Sequence, residues 1–338
     1  MKRPILHRLG LVVAVLASGL GAAGCGKPPA MGKVDTLVVL TANDSLWNRL
    51  EDTTRAALEP TVFTVRSEQK FYVEQADTAS SQVAHLKLFR QVVVFGTPDN
   101  GLVRKIASAA GKPPTAPSVI QARDVWATDQ LATAVVLDPK DEAGSWRSQL
   151  PELDSLVDAE YRSYVHLRMF VSGEDTANEA KLRRTLGFGI QFPAVYRVDT
   201  LTDSVVVLVN DNPDPSELIR SVLVAWRPSL DTLTAAAAYG WRRAVDTVYY
   251  GVPQAIDTAQ GTVKRMELHG RPALEGTGAW RDVGTGYPAG GPFIARLVQC
   301  PDRTYFLDGW VYAPGKSKYQ YVIQVRDILD SFSCGAGG

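Results

Sequence analysis

Three stretches near the C-terminus, RPALEGTGAWR (271–281), FIARLVQC (293–300) and TYFLDGWVY (304–312), decide the fold. Each has strand length, is rich in β-branched or aromatic residues, and is bounded by Gly, Pro and Asp turn residues. With Thr262 to His269 before them they predict an antiparallel meander. Alternation places Leu274, Gly276, Gly278 and Trp280 on one face of the first stretch, and Glu275 and Arg281 on the other. A helix over 317–332 follows, with Val322, Val325, Leu329 and Phe332 on its inner face. Working upstream, 218–226 reads as a strand and 232–248 as an Ala-rich helix capped by Asp231. Strands are expected at 189–197 and 204–209, and a helix at 177–186 ended by Gly187.

The first half alternates the two patterns. Strands are predicted at 36–41, 62–65, 71–73 and 91–95, a hairpin at 118–126 and 131–137, and helices at 45–58, 79–89 and 101–110. Asn43 or Asp44 is the expected cap of the first helix. A long helical stretch at 140–171 is expected to break at Pro151. The fold class is therefore α+β: two layered domains, the second an antiparallel meander flanked by helices. The expected boundaries are a signal peptide at 1–24, a tether at 25–34, an N-terminal domain at 35–172 and a C-terminal domain at 173–334.

The 338 residues carry 36 Lys and Arg against 36 Asp and Glu, a balance that gives a polyanion no electrostatic foothold and argues against nucleic acid as a partner. At the N-terminus, Lys2, Arg3 and Arg8 precede an apolar run from Leu9 to Leu20, too short to span a bilayer. Small residues then lead to Cys25. This is the layout of an export signal, and Ala22-Ala23-Gly24-Cys25 resembles a bacterial lipobox, with Ala22 where Leu is usual. The resemblance implies that Cys25 becomes an acylated N-terminus anchoring the protein to the cell envelope, in the outer membrane if the host has one, since Gly26 is not the Asp that signals inner-membrane retention. The alternative is ordinary signal cleavage beside an incidental Cys. Residues 26–33 contain two Pro and no periodicity and read as a short tether. Export also allows Cys300 and Cys334 to pair; the alternative is two buried free thiols.

The motifs Gly278-Ala279-Trp280-Arg281, Gly290-Gly291-Pro292-Phe293-Ile294 and Gly309-Trp310-Val311-Tyr312 through Lys318 resemble an uncharacterised bacterial lipoprotein family, domain of unknown function 4837, over roughly residues 35 to 332. The resemblance implies a lipoprotein address and no reaction. In element order the second half also loosely resembles the PsbP/Mog1 type of αβα sandwich.

Catalytic and metal-ligand patterns are weak. Gly315-Lys316-Ser317 opens a helix after a strand, but Trp310 stands where a P-loop needs Gly. His85, His166 and His269 lack metal-ligand neighbours, so neither a metal nor a cofactor is expected. No Gly-x-Ser-x-Gly elbow occurs. The expected binding corner lies where the loop 284–292 meets the turn 312–318, uniting Arg281, Gly290, Gly291, Tyr312, Gly315, Lys316, Ser317 and Lys318 at one sheet end. A helix N-terminus and lysines there suit a small anionic ligand. The sequence favours an envelope protein that binds a ligand or another envelope component over a hydrolase of an envelope polymer or a purely structural subunit.

Overall fold

The computed structural model describes residues 26–212, 217–251, 253–284 and 289–335, so Cys25 and residues 285–288 of the expected corner loop lie outside the described residues. The first half contains β1 (Thr36–Thr41), α1 (Asp44–Leu58), β2 (Thr61–Phe63), β3 (Ser67–Gln69), β4 (Tyr72–Asp77), α2 (Val83–Leu86), β5 (Gln91–Gly96), α3 (Gly101–Ala109), β6 (Ser118–Arg123), β7 (Leu131–Val136) and α4 (Glu142–Met169). Its five-stranded sheet runs β4-β1-β5-β7-β6 and is parallel except for the β6–β7 hairpin. The apolar runs Leu37 to Leu40 and Val92 to Phe95 are buried on both faces, as strands covered by helices on two sides must be. Leu37 and Val39 pack with α1 and α4, whereas Val38 and Leu40 pack with α3.

The helices differ from expectation at two places. The region 79–89 forms only the single turn α2, because the Asp77 carboxylate and Ser80 hydroxyl accept from the amides of Ala79 and Gln82 and hold the chain in turns. Conversely, α4 runs unbroken through Pro151: Trp146, Leu150, Leu153, Val157, Tyr161 and Val165 form one buried stripe across it. That burial outweighs the missing hydrogen bond.

The second half contains α5 (Thr176–Leu186), β8 (Phe188–Gly189), β9 (Arg197–Leu201), β10 (Val205–Asn210), β11 (Ile219–Pro228), α6 (Ala235–Tyr249), β12 (Gln254–Asp257), β13 (Val263–Leu268), β14 (Arg271–Asp282), β15 (Gly290–Gln299), β16 (Arg303–Tyr312), α7 (Tyr319–Asp330) and β17 (Ser333–Cys334). The meander is present, and its eight-stranded sheet runs β12-β14-β15-β16-β11-β10-β9 with β13 also on β14. His269 and Gly270, both at positive φ, make the two-residue turn between β13 and β14. Helix α6 covers one face, and α5 and α7 the other. The strand expected at 189–197 reduces to β8, since Pro193 ends in a turn with Tyr196 and pairing resumes at β9. Thr234, not Asp231, caps α6.

Helix α7 joins the two cores. Tyr319 and Ile323 enter the first-half core, while Val325, Ile328 and Leu329 enter the second. It lies so close to the sheet that a Cβ at Gly309 would stand 2.2 Å from Val325 Cγ1. Cys300 and Cys334 are joined as a disulfide, Cα to Cα 5.8 Å. Residues 26–33, read from the sequence as a short tether, dock on the first half. Pro29 bridges Thr128 and Met31 bridges Phe89. The amides of Ala30, Met31, Arg90 and Thr128 close these bridges at 2.8 to 3.0 Å. Among the described residues no helix is long and apolar enough to cross a membrane.

Candidate functional site

Arg281, Gly290, Gly291 and Tyr312 lie at one end of the sheet. In the β14–β15 register Trp280 faces Gly291 and Arg281 faces Gly290, and β16 ends at Tyr312 beside them. Gly291 is required there, because a Cβ would lie 1.7 Å from the Val311 carbonyl oxygen. On the α6 side of this sheet end is a cleft of about 210 Å³, lined chiefly by Tyr250, Gln254, Trp280, Trp310 and Tyr312. Its walls are aromatic. The Trp280 and Trp310 rings meet edge to face at 5.2 Å, Tyr250 stands 5.6 Å from Trp310, and Tyr312 stands 6.4 Å from Trp280. The buried indole Nε1 atoms of Trp280 and Trp310 have no acceptor among the described residues. Such groups are costly to leave bare.

A buried polar network backs the cleft. Arg242 of α6 and Asp308 of β16 are both fully buried, with Nε to Oδ1 at 3.2 Å. The Tyr250 hydroxyl donates to the other Asp308 oxygen at 2.5 Å. Arg242 Nη2 donates to Gln254 Oε1 at 2.7 Å, and the Gln254 amide donates to both Asp246 oxygens. Burial raises the Asp308 carboxyl, although Arg242 and Tyr250 pull it down. Burial first, and the Asp308 charge second, push the Tyr250 phenol well above its usual range. Asp308 touches Tyr250 and Arg242 but does not line the cleft, so its role is to fix the wall.

The expected cationic side of the corner has a different fate. Ser317 and Lys318 face the first half, where Glu68 of β3 takes the start of α7: its Oε2 accepts from the Lys318 amide at 2.7 Å and from the Ser317 hydroxyl at 3.1 Å. Lys318 Nζ lies 3.7 Å from Glu68 Oε1. The chain's own carboxylate thus holds the helix N-terminus expected to receive an outside anion. Lys318 caps α7, without a side-chain bond. Lys318 is buried, while Lys316 is exposed and Gly315 turns the chain at φ 70°. Arg281 is exposed and stands opposite Trp280 in the strand alternation. Of the expected residues, Tyr312 alone lines the cleft.

His166 pairs with Asp327 at 3.1 Å and His269 with the Asp330 carbonyl at 2.8 Å. Among the described residues no group of three or more His, Cys, Asp or Glu is placed to hold a metal ion. The sequence reading overlooked Arg242, Tyr250, Gln254 and Asp308. Its available signal was a charged residue inside an apolar strand, as Asp308 is in TYFLDGWVY.

No curated protein matches the chain. Among solved structures, the solution structure of cyanobacterial PsbP (CyanoP) from Synechocystis sp. PCC 6803 is similar at 17% identity and TM-score 0.30, over 44% of this chain and 86% of that one. A crystal structure from Bacteroides thetaiotaomicron VPI-5482 is similar at 7% identity and TM-score 0.27, over 45% of this chain and 46% of that one. The apo immunity protein TplEi of the T6SS from Pseudomonas aeruginosa is similar at 11% identity and TM-score 0.24, over 47% and 59%. Residues 175–331, which run from the cap of α5 to the end of α7 and hold the cleft, match the family described as Domain of unknown function (DUF4837).

Proposed function

We propose that the protein is an exported, lipid-anchored binding protein of the cell envelope, whose second half takes an apolar or aromatic group of its ligand into the cleft of Tyr250, Trp280, Trp310 and Tyr312. The observation carrying this reading is the convergence of four aromatic rings on one open pocket with a rigid charged network behind it. A ligand oxygen beside an indole N–H would also satisfy a donor the fold leaves bare. The anchor rests on the basic, apolar and small-residue order that ends at Cys25. A hydrolase is the weaker reading, because Asp308, the raised carboxyl next to this cleft's wall, bonds to Tyr250 and does not line the cleft.

One experiment with two arms tests this. Crosslinked capture from intact cells is expected to recover a ligand or envelope protein with the wild type, and at least about tenfold less with Trp310→Ala, the loss of one well-packed aromatic contact. A fatty-acid probe fed to the same cells is expected to label the wild type and not Cys25→Ser. Equal capture by Trp310→Ala would defeat the cleft, and equal labelling of Cys25→Ser would defeat the anchor.

A further inference from the structure

A second and larger cavity, about 450 Å³, lies at the seam between the two halves. The first half contributes Phe63 and Arg162, α7 contributes Ile323 and Arg326, and the β13–β14 side contributes Thr262 and Lys264. Its three cationic groups are held in place from behind. Glu275 accepts from Arg326 Nη1 at 2.7 and 2.8 Å and stands 3.4 Å from Lys264 Nζ. Asp158 accepts from Arg162 Nε at 2.8 Å, and Arg162 Nη2 donates to the Tyr319 hydroxyl at 3.0 Å. These carboxylates are themselves bonded further inward, Glu275 to Arg296 and Asp158 to Lys70.

The outer donors remain open. Arg162 Nη1 and Arg326 Nε and Nη2 make no hydrogen bond among the described residues, and Lys264 has only its ion pair to Glu275. A guanidinium fixed on one edge presents its other N–H groups in a preset fork, which suits the oxygens of a phosphate or carboxylate. Beside them Phe63 is partly exposed at 43%, with Ile323 buried. We propose that this seam binds an amphiphilic anion: a phosphate or carboxylate head on Arg162, Lys264 and Arg326, and an apolar body against Phe63 and Ile323. The site belongs to both halves, so neither half offers it complete.

Calorimetric titration of the full chain with octyl phosphate, below the concentration at which it forms micelles, tests this. Octyl glucoside supplies the same tail without charge, and inorganic phosphate the charge without the tail. The expected result is binding of octyl phosphate at least about tenfold tighter than either control. Lys264→Gln and Phe63→Ser change side chains exposed to solvent and should fold as the wild type, checked by thermal unfolding. Each is expected to weaken octyl phosphate by about five- to tenfold, and Trp310→Ala to leave it unchanged. Equal binding of octyl glucoside overturns the cationic head site, and equal binding of phosphate overturns the apolar half. Loss with Trp310→Ala but not with Lys264→Gln would assign the ligand to the aromatic cleft and overturn the seam site alone.

Discussion

Asp308 and Glu275 lie two strands apart in one sheet, on β16 and β14, and point to opposite faces: Asp308 to Arg242 of α6, Glu275 to Arg326 of α7. Both are buried and both are held by arginine, yet the outcomes are opposite. Burial raises the Asp308 carboxyl above its ordinary value, whereas Glu275 is pulled down to about 2. Burial opposes ionisation at Glu275 too, but Arg296 and Arg326 both contact it and together win. Asp308 has one arginine and one phenol. The number of cations per carboxylate, rather than burial alone, decides which face keeps a secure charge.

The sharpest way to break this contrast is Arg242→Met, which leaves the buried Asp308 with only Tyr250 as a partner. The expected loss is about 3 to 5 kcal/mol in denaturant unfolding, and Asp308→Asn in the same chain is expected to recover part of it. A loss below 1 kcal/mol would mean that Tyr250 alone suffices. Next comes the pH dependence. A carboxyl lowered from 4.5 to about 2 stabilises the fold fully above 4.5 and loses that contribution as pH falls toward 2, worth roughly 3 kcal/mol for Glu275. Asp308 has the reverse sign: its folded form holds its proton more tightly than the unfolded chain, so its contribution declines as pH rises above 3.8. Stability curves from pH 2 to 7 should therefore flatten at the acid end for Glu275→Gln. A wild-type slope in that variant would sink the assignment. The smallest effect concerns a third carboxylate, Glu68, which holds the start of α7 from the other half. Glu68→Gln keeps one acceptor and is expected to cost about 1 to 2 kcal/mol, read by the same denaturant curves.

What the sequence made legible follows from which forces are local. The meander, the core strands of the first half, the cap at Asn43 or Asp44 and the stop at Gly187 came from alternation, apolar runs and turn chemistry, all contained within a few residues, whereas the parallel pairing of those strands did not. Helix α4 was misread at Pro151 because the penalty is local and visible, while the stripe that overrides it packs on a distant sheet. That Arg281, Gly290, Gly291 and Tyr312 share one sheet end was legible, since strand order fixes which turns lie together. Its chemistry was not, because Glu68 lies 250 residues before Lys318 and no short pattern links them. Arg242 and Asp308, 66 residues apart, escaped for the same reason.

The stem at residues 26–33 is pinned to the first half on both sides. Pro29 and Met31 bridge Thr128 and Phe89, and Lys27 Nζ donates to the Asp124 carbonyl. Mechanically this is a mount rather than a leash. A pull at the N-terminal end enters the body through Thr128, Leu88 and Arg90, next to the buried central strands β5 and β7, and not through α7 or the aromatic cleft. The body's heading relative to residue 26 is thereby set by hydrogen bonds instead of by chance.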